Sequence, residues 1–204
     1  MLRWLSVLMV LAAPAFGQAL TPDALRAKVV EGEGVRSEYY AIMDDPDPAK
    51  AASAVQLMMA SGDPELERMA RDYAIFSPHA VVQRAALQAF FEGAPRLEIS
   101  WDGAALAKDE LSWFEHSILG QNGTVDGTQG QMIEQVGAFN ESKGCWVYAR
   151  SVNYCLISLS ENQVTYYAWQ RPVGLRLDED GRLIGKGVVE RTKTASVITI
   201  PVTR

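Results

Sequence analysis

Gly144 to Leu159 reads GCWVYARSVNYCLISL. It holds the only two cysteines of the chain, Cys145 and Cys155, with Trp146, Tyr148 and Tyr154 between them. Aromatic and β-branched residues at this density favour extended backbone. The stretch predicts two β-strands stapled by a disulfide at the centre of a C-terminal β domain. If the cysteines face each other, Trp146 opposes Tyr154, Val147 opposes Asn153, and Tyr148 opposes Val152. Ala149-Arg150-Ser151 is then a three-residue turn. Such turns use a left-handed residue, often glycine, and this one has none. The spacing fits neither the close cysteine pairs of zinc sites nor a Cys-x-x-Cys redox motif, and neither histidine is near in sequence. A structural disulfide between Cys145 and Cys155 is the expectation, in keeping with an oxidising compartment.

The β character extends on both sides. Leu97, Ile99 and Trp101 alternate with Arg96, Glu98 and Ser100, the pattern of a half-buried strand. Asp102-Gly103, Asn122-Gly123, Asp126-Gly127 and Asp180-Gly181 mark tight turns. Strands are expected at 124–136, 145–149, 152–159, 163–170, 173–178, 182–190 and 195–202. Residues 104–119 are ambiguous between one or two helical turns and a strand. Many short strands joined by tight turns predict an antiparallel barrel or sandwich. Pro201 within the last strand suggests an edge or a bulge.

Before Gly93 the punctuation is helical. Thr21-Pro22, Asp47-Pro48, Asp63-Pro64 and Ser77-Pro78 each place a capping side chain before a proline. The side chain accepts from an orphan backbone N–H, and proline at the first helical position loses a donor that had no partner. Gly32, Gly62 and Gly93 are expected to close three helices in the left-handed conformation. Apolar stripes recur at helical spacing: Ala51, Val55, Met58 and Met59; Leu66, Met69, Ala70 and Tyr73; Val81, Val82, Ala85, Ala86, Ala89 and Phe90. A shorter helix is expected through Val35, Tyr39 and Ile42. The helix starts at 47, 63 and 77, the Ala-rich faces and the stretch QRAALQAF make residues 47–92 resemble HEAT-type α-hairpin arrays. That resemblance implies binding of a protein or peptide rather than catalysis. A small helical bundle packed on the β domain accounts for the same residues. The fold class is therefore α+β: residues 20–94 helical, residues 95–204 an antiparallel β domain with a disulfide, joined at Ala94-Pro95.

Residues 1–19 have the order of a secretory signal. Arg3 gives the charged start, Trp4–Ala13 the apolar core, and Pro14 with Ala15, Gly17 and Ala19 the cleavage region. Cleavage before Gln18 or Leu20 is expected, giving an exported protein, periplasmic or extracellular. No later stretch reaches the roughly 20 apolar residues of a membrane helix. Loss of Arg3 shifts the net charge from −6 to about −7. No block of basic residues serves a phosphate backbone, so a nucleic-acid partner is not expected.

No catalytic constellation stands out. His116 lies in SWFEHS beside Ser112 and Glu115, which permits a small hydrolase built on His116 with a nearby serine or carboxylate. No G-x-S-x-G elbow or S-x-x-K motif supports it. Asp178-Glu179-Asp180-Gly181 aligned on a calcium loop puts Gly187 where a carboxylate is required, so neither a metal nor another cofactor is expected. In VTYYAW, Tyr166 points to one face of a strand and Tyr167 and Trp169 to the other. Tyr167 and Trp169 are the candidate ligand-binding pair, because exposed aromatics on β scaffolds stack on sugars or anchor protein partners. The function expected is a non-catalytic binding or scaffolding protein, its partner a protein or polysaccharide of the cell envelope. A purely structural envelope component is the remaining possibility.

Overall fold

The computed structural model describes residues 22–160 and 163–203. The expected signal, residues 1–19, and the Thr21 cap lie outside the described residues. The chain divides into two compact units, Met1–Tyr40 and Ala41–Arg204.

The first helix, α1, runs unbroken through Pro22–Met43. Gly32 therefore sits inside a helix rather than ending one, and Val35, Tyr39 and Ile42 belong to the same helix. An internal glycine costs about 1 kcal/mol relative to alanine, which a long helix tolerates.

Three helices follow in the second unit: α2 (Pro48–Met59), α3 (Pro64–Ile75) and α4 (Ala80–Glu92). Asp47 accepts a hydrogen bond from Ala49 N–H, and Asp63 accepts from Glu65 and Leu66 N–H, as the Asp-Pro pairs predict. The fourth expected start moves. Ser77 accepts from His79 N–H, and α4 begins after His79, which supplies no side-chain cap. Serine thus closes a local turn instead of capping the helix. At the other end of α4, Gly93 has φ −67°, and Ala94 takes the left-handed conformation at φ 48°. Phe91 and Leu87 are buried while Val81 is exposed, a rotation of the expected stripe. The reason is external to the helix: Phe91 packs on Trp146, with ring centroids 5.4 Å apart.

Ala94-Pro95 leads directly into β1 (Arg96–Asp102). The stretch that fitted either structure becomes α5 (Leu111–Leu119). Then come β2 (Thr124–Asp126), β3 (Gln129–Asn140), β4 (Cys145–Tyr148), β5 (Ser151–Leu159), β6 (Val164–Ala168), β7 (Arg171–Leu177), β8 (Arg182–Val188) and β9 (Ala195–Pro201). From β3 to β9 each strand pairs antiparallel with the next, and β1 pairs with both β9 and β3. This closes an eight-stranded antiparallel barrel with β2 as an extra strand on β3. It is a barrel, not a sandwich.

Alternate residues fill the interior: Leu97, Ile99 and Trp101 from β1, Met132 and Val136 from β3, Val164 and Tyr166 from β6, Ile198 and Ile200 from β9. A barrel of this size has an interior that side chains can fill, with room for at most one small ligand. Pro201 is not on an edge strand, since β9 is paired on both sides. It lies beyond the last β1 partner of β9, Thr199, so its missing N–H breaks no ladder on that side. Helix α4 lies beside one end of the barrel, where Gln83 and Leu87 share a groove with Leu159, Val164 and Leu175. The β4–β5 and β6–β7 turns and the β8–β9 loop lie at the opposite end.

The opening stretch forms the predicted disulfide, with Cα atoms of Cys145 and Cys155 5.7 Å apart. Its register differs from the symmetric one. Trp146 pairs with Ile157, Val147 with Cys155 and Tyr148 with Ser151. The turn is Ala149-Arg150, and Val152, Asn153 and Tyr154 are extra residues that bulge from β5. Accommodating them in the strand removes the need for a left-handed residue in a three-residue turn. Lys143 Nζ donates to the Asn153 carbonyl and holds the bulge from the β3–β4 side.

Candidate functional site

The bulge and the turns around it make a cleft of about 560 Å³ at the barrel end away from α4. Tyr148, Arg150, Ser151 and Tyr154 line it from β4 and β5, Trp169, Gln170 and Arg171 from the β6–β7 turn, with Gln121 and Glu190 completing the rim. The wall is notched here because β4 is short. Strand β3 pairs with β2 at residues 129–131 and with β4 from Val136 onward. Between those points Met132, Ile133 and Glu134 pair only with β1.

Glu134 is the buried charge in this notch. It alternates with Met132 and Val136 along β3 and therefore points inward. Its side chain is 6% exposed, and Arg150 Nη2 reaches it at 2.8 Å from the β4–β5 turn. The same Nη2 donates to Gln121 Oε1 at 2.7 Å. Burial raises the Glu134 carboxyl above its ordinary range, and the Arg150 guanidinium only partly offsets this. Tyr148, also burdened by burial and by the Glu134 charge, is pushed up to about 12. Its hydroxyl donates to the Tyr167 carbonyl at 2.8 Å, and the Arg150 guanidinium covers its ring, 5.2 Å from the centroid.

Below the rim lie two fully buried groups. Trp101 packs against Trp169 with the ring planes tilted by 59° and centroids 5.0 Å apart, and Tyr166 lies 6.4 Å from Trp101. Among the described residues the Trp101 indole N–H has no hydrogen-bond partner, and the Tyr166 hydroxyl has none of good geometry, the Tyr148 hydroxyl being its nearest polar neighbour. The Tyr166 hydroxyl does feel Tyr148 and Glu134, and with burial these hold its ionisation far above the normal range. Such groups are seldom left unpaired in folded proteins.

Trp169 is in the site for a reason that strand alternation does not predict. Strand β6 stops at Ala168, and Trp169 and Gln170 form the two-residue turn to Arg171 with φ 47° and 64°. Both are left-handed, a geometry that hairpins normally give to Asn and Gly. A bulky residue there is strained. The turn carries Trp169 onto Trp101 instead of leaving it beside Tyr167. Tyr167 does not line the cleft; its hydroxyl lies 3.3 Å from the Ser158 hydroxyl. Of the candidate pair, Trp169 lines the cleft and Tyr167 does not.

The loop carrying Glu190 is fixed from α5. Glu110 Oε1 accepts from the Lys193 and Thr194 N–H groups, and Oε2 accepts from Ala107 N–H. These hydrogen bonds hold the Glu110 carboxyl down at about 2. The Arg191 guanidinium lies over the Trp113 ring, 4.4 Å from its centroid.

Ser112, Glu115 and His116 all lie exposed on α5. Trp113 approaches His116 edge-on, with centroids 6.3 Å apart. Among the described residues no hydrogen bond joins His116 to Ser112 or Glu115. Asp178 and Asp180 are occupied as ion-pair partners of Arg182 in the β7–β8 turn. No group of three or more His, Cys, Asp or Glu among the described residues is placed to hold a metal, and none of the described helices is long and apolar enough to cross a membrane.

Alternation along Gln131-Met132-Ile133-Glu134-Gln135-Val136, anchored on Met132 and Val136, is the sequence signal that identifies Glu134 as inward-facing. Arg150 has no comparable local signal, because its role depends on where a turn meets the notch in β3. No known protein family, curated protein or solved structure matches the chain, so the HEAT-type resemblance of residues 47–92 has no family match behind it.

Proposed function

We propose that this is an exported binding protein of the cell envelope that takes its ligand in the cleft at the barrel end away from α4. The observation that carries the proposal is the left-handed Trp169-Gln170 turn at the rim. Backbone strain of this kind costs on the order of 1–3 kcal/mol per residue and clusters at ligand sites. Here it presents Trp169 and Gln170 to the same cleft as Arg150 and Tyr154. The buried Glu134–Arg150 pair supports the reading, since a polar network inside a barrel wall orients groups at the cost of desolvation. The disulfide is compatible with an oxidising, exported location, as is the expected signal segment.

The arrangement supports recognition rather than covalent chemistry. Arg150 stands between Glu134 and the rim, and the residues lining the cleft include no cysteine or histidine. In-cell photo-crosslinking tests the site. A benzophenone side chain at Tyr154 should capture envelope material, while the same probe at exposed Lys50 on α2 should not. Equal yields at both positions, or none at Tyr154, would count against the cleft.

A further inference from the structure

Resting on that assignment of the cleft, we infer that its ligand is a neutral glycan segment. The first argument is charge. Arg150 is matched by Glu134 at 2.8 Å, and the rim adds one cation, Arg171, and one anion, Glu190. Two cations and two anions leave no net field to select a charged ligand. Arg150 is also committed, through Nη2, to Glu134 and Gln121.

The second argument is the kind of surface offered. A pyranose ring has an apolar C–H face and a rim of hydroxyls that both donate and accept. The cleft has the complement. Tyr154 is 49% exposed and makes no ring contact with another aromatic among the described residues, so its face is available for stacking. Gln170, Arg171 and Glu190 supply forked donors and acceptors of the type that bridge neighbouring hydroxyls. An apolar ligand would leave these groups desolvated and unpaired. The volume, about 560 Å³, is in the ordinary range for small-ligand sites.

The third argument is rigidity. The lips of the cleft are fixed by separate devices: the disulfide next to Tyr154, the two-residue turn at Gln170, and the Glu110 hydrogen bonds that hold the Glu190 loop. Hydroxyl groups exchange water for protein with little net gain per hydrogen bond. A site that binds them therefore benefits from having little conformational entropy to lose.

The test titrates the mature protein with cellotetraose, maltotetraose and chitotetraose, followed by tryptophan fluorescence and calorimetry. Polygalacturonate serves as the anionic comparison and a peptide library as the protein-like one. At least one neutral oligosaccharide should bind, with affinity independent of salt. Tyr154→Ala should weaken it about tenfold, the scale of one aromatic contact. Glu190→Gln, which leaves the bulge intact, should weaken it as well. If none of the three binds while Tyr154 crosslinking still captures material, the glycan class is overturned and the cleft stands. Preferential, salt-sensitive binding of polygalacturonate, or binding of peptide alone, overturns the glycan class in the same way. If an oligosaccharide binds equally to wild type, Tyr154→Ala and Glu190→Gln, the cleft itself is overturned.

Discussion

Reducing the Cys145–Cys155 bond should lower stability by an amount the loop size sets. The two cysteines are separated by 10 positions. In the chain-entropy description, opening a loop of that size releases about 2.8 kcal/mol of unfolded-state freedom at room temperature. The folded state should change little, because Cys145 is fully buried and remains in the same β4 ladder. Comparing oxidised with reduced wild-type protein keeps side-chain volume constant and separates the cross-link from packing. Urea denaturation of both forms gives the difference directly, as a lower midpoint at similar slope. A Cys145→Ala/Cys155→Ala variant should lose more, since it also opens space in the core. A reduced protein with an unchanged midpoint would refute the reasoning. A loss well above about 5 kcal/mol would also refute it, because the bond would then be holding folded structure together. Local consequences should concentrate at Val152, Asn153 and Tyr154. Their backbone amides should exchange faster on reduction, and ligand affinity at the cleft should fall with them.

Glu110 and Glu134 should give opposite pH signatures. The folded Glu110 carboxyl titrates near 2 against an ordinary 4.5, so its stabilisation is complete above 4.5 and lost as pH falls toward 2. Glu110→Gln should flatten that acid limb in urea midpoints measured against pH. Glu134 is raised, so its contribution is greatest at low pH and is lost as pH rises through its folded value. Glu134→Gln should remove that loss and leave a variant whose stability relative to wild type improves toward neutral pH. Arg150→Ala should cost about 1–3 kcal/mol at neutral pH by leaving a buried carboxylate short of donors, and less in acid, where Glu134 is protonated. Gln170→Gly should relieve roughly 1–2 kcal/mol of left-handed strain against roughly 0.4–1 kcal/mol of added unfolded-state entropy. The expected net gain is about 0.5–1 kcal/mol in thermal or urea unfolding, and equal or lower stability would contradict the strain argument. Intact-mass measurement of the exported protein should show Gln18 or Leu20 as its first residue; retention of residues 1–17 would contradict the signal assignment.

The fold class was legible because two periodicities dominate the sequence. Stripes such as Ala51, Val55 and Met58 fix helices, and the alternation of Leu97, Ile99 and Trp101 fixes a strand whatever lies around it. Closure into a barrel was not legible. It depends on β1 finding both β3 and β9, and no local pattern encodes that choice. The hairpin register failed for a related reason: Val152-Asn153-Tyr154 continues the strand pattern, but the ladder to β4 skips it. The candidate cleft was legible only in part. Trp169 attracts attention as an aromatic, yet its place comes from a left-handed turn that Trp-Gln does not advertise. Glu134 was readable from alternation but is outwardly an ordinary glutamate in a polar-looking strand.

The seam between β1 and β9 has a bearing on how the chain reaches this state. Ser100 lies opposite Thr199, partners about a hundred positions apart, whereas from β3 to β9 each strand pairs with its neighbour in sequence. During synthesis, the meander from β3 onward can form hairpin by hairpin. The ring cannot shut until β9 has emerged. Until then β1 and β8 each present an open row of backbone donors and acceptors, the kind of edge that recruits other chains. A chaperone that keeps those edges apart would act on the slow step, and a chain cut short before Ala195 should aggregate rather than fold to a smaller barrel.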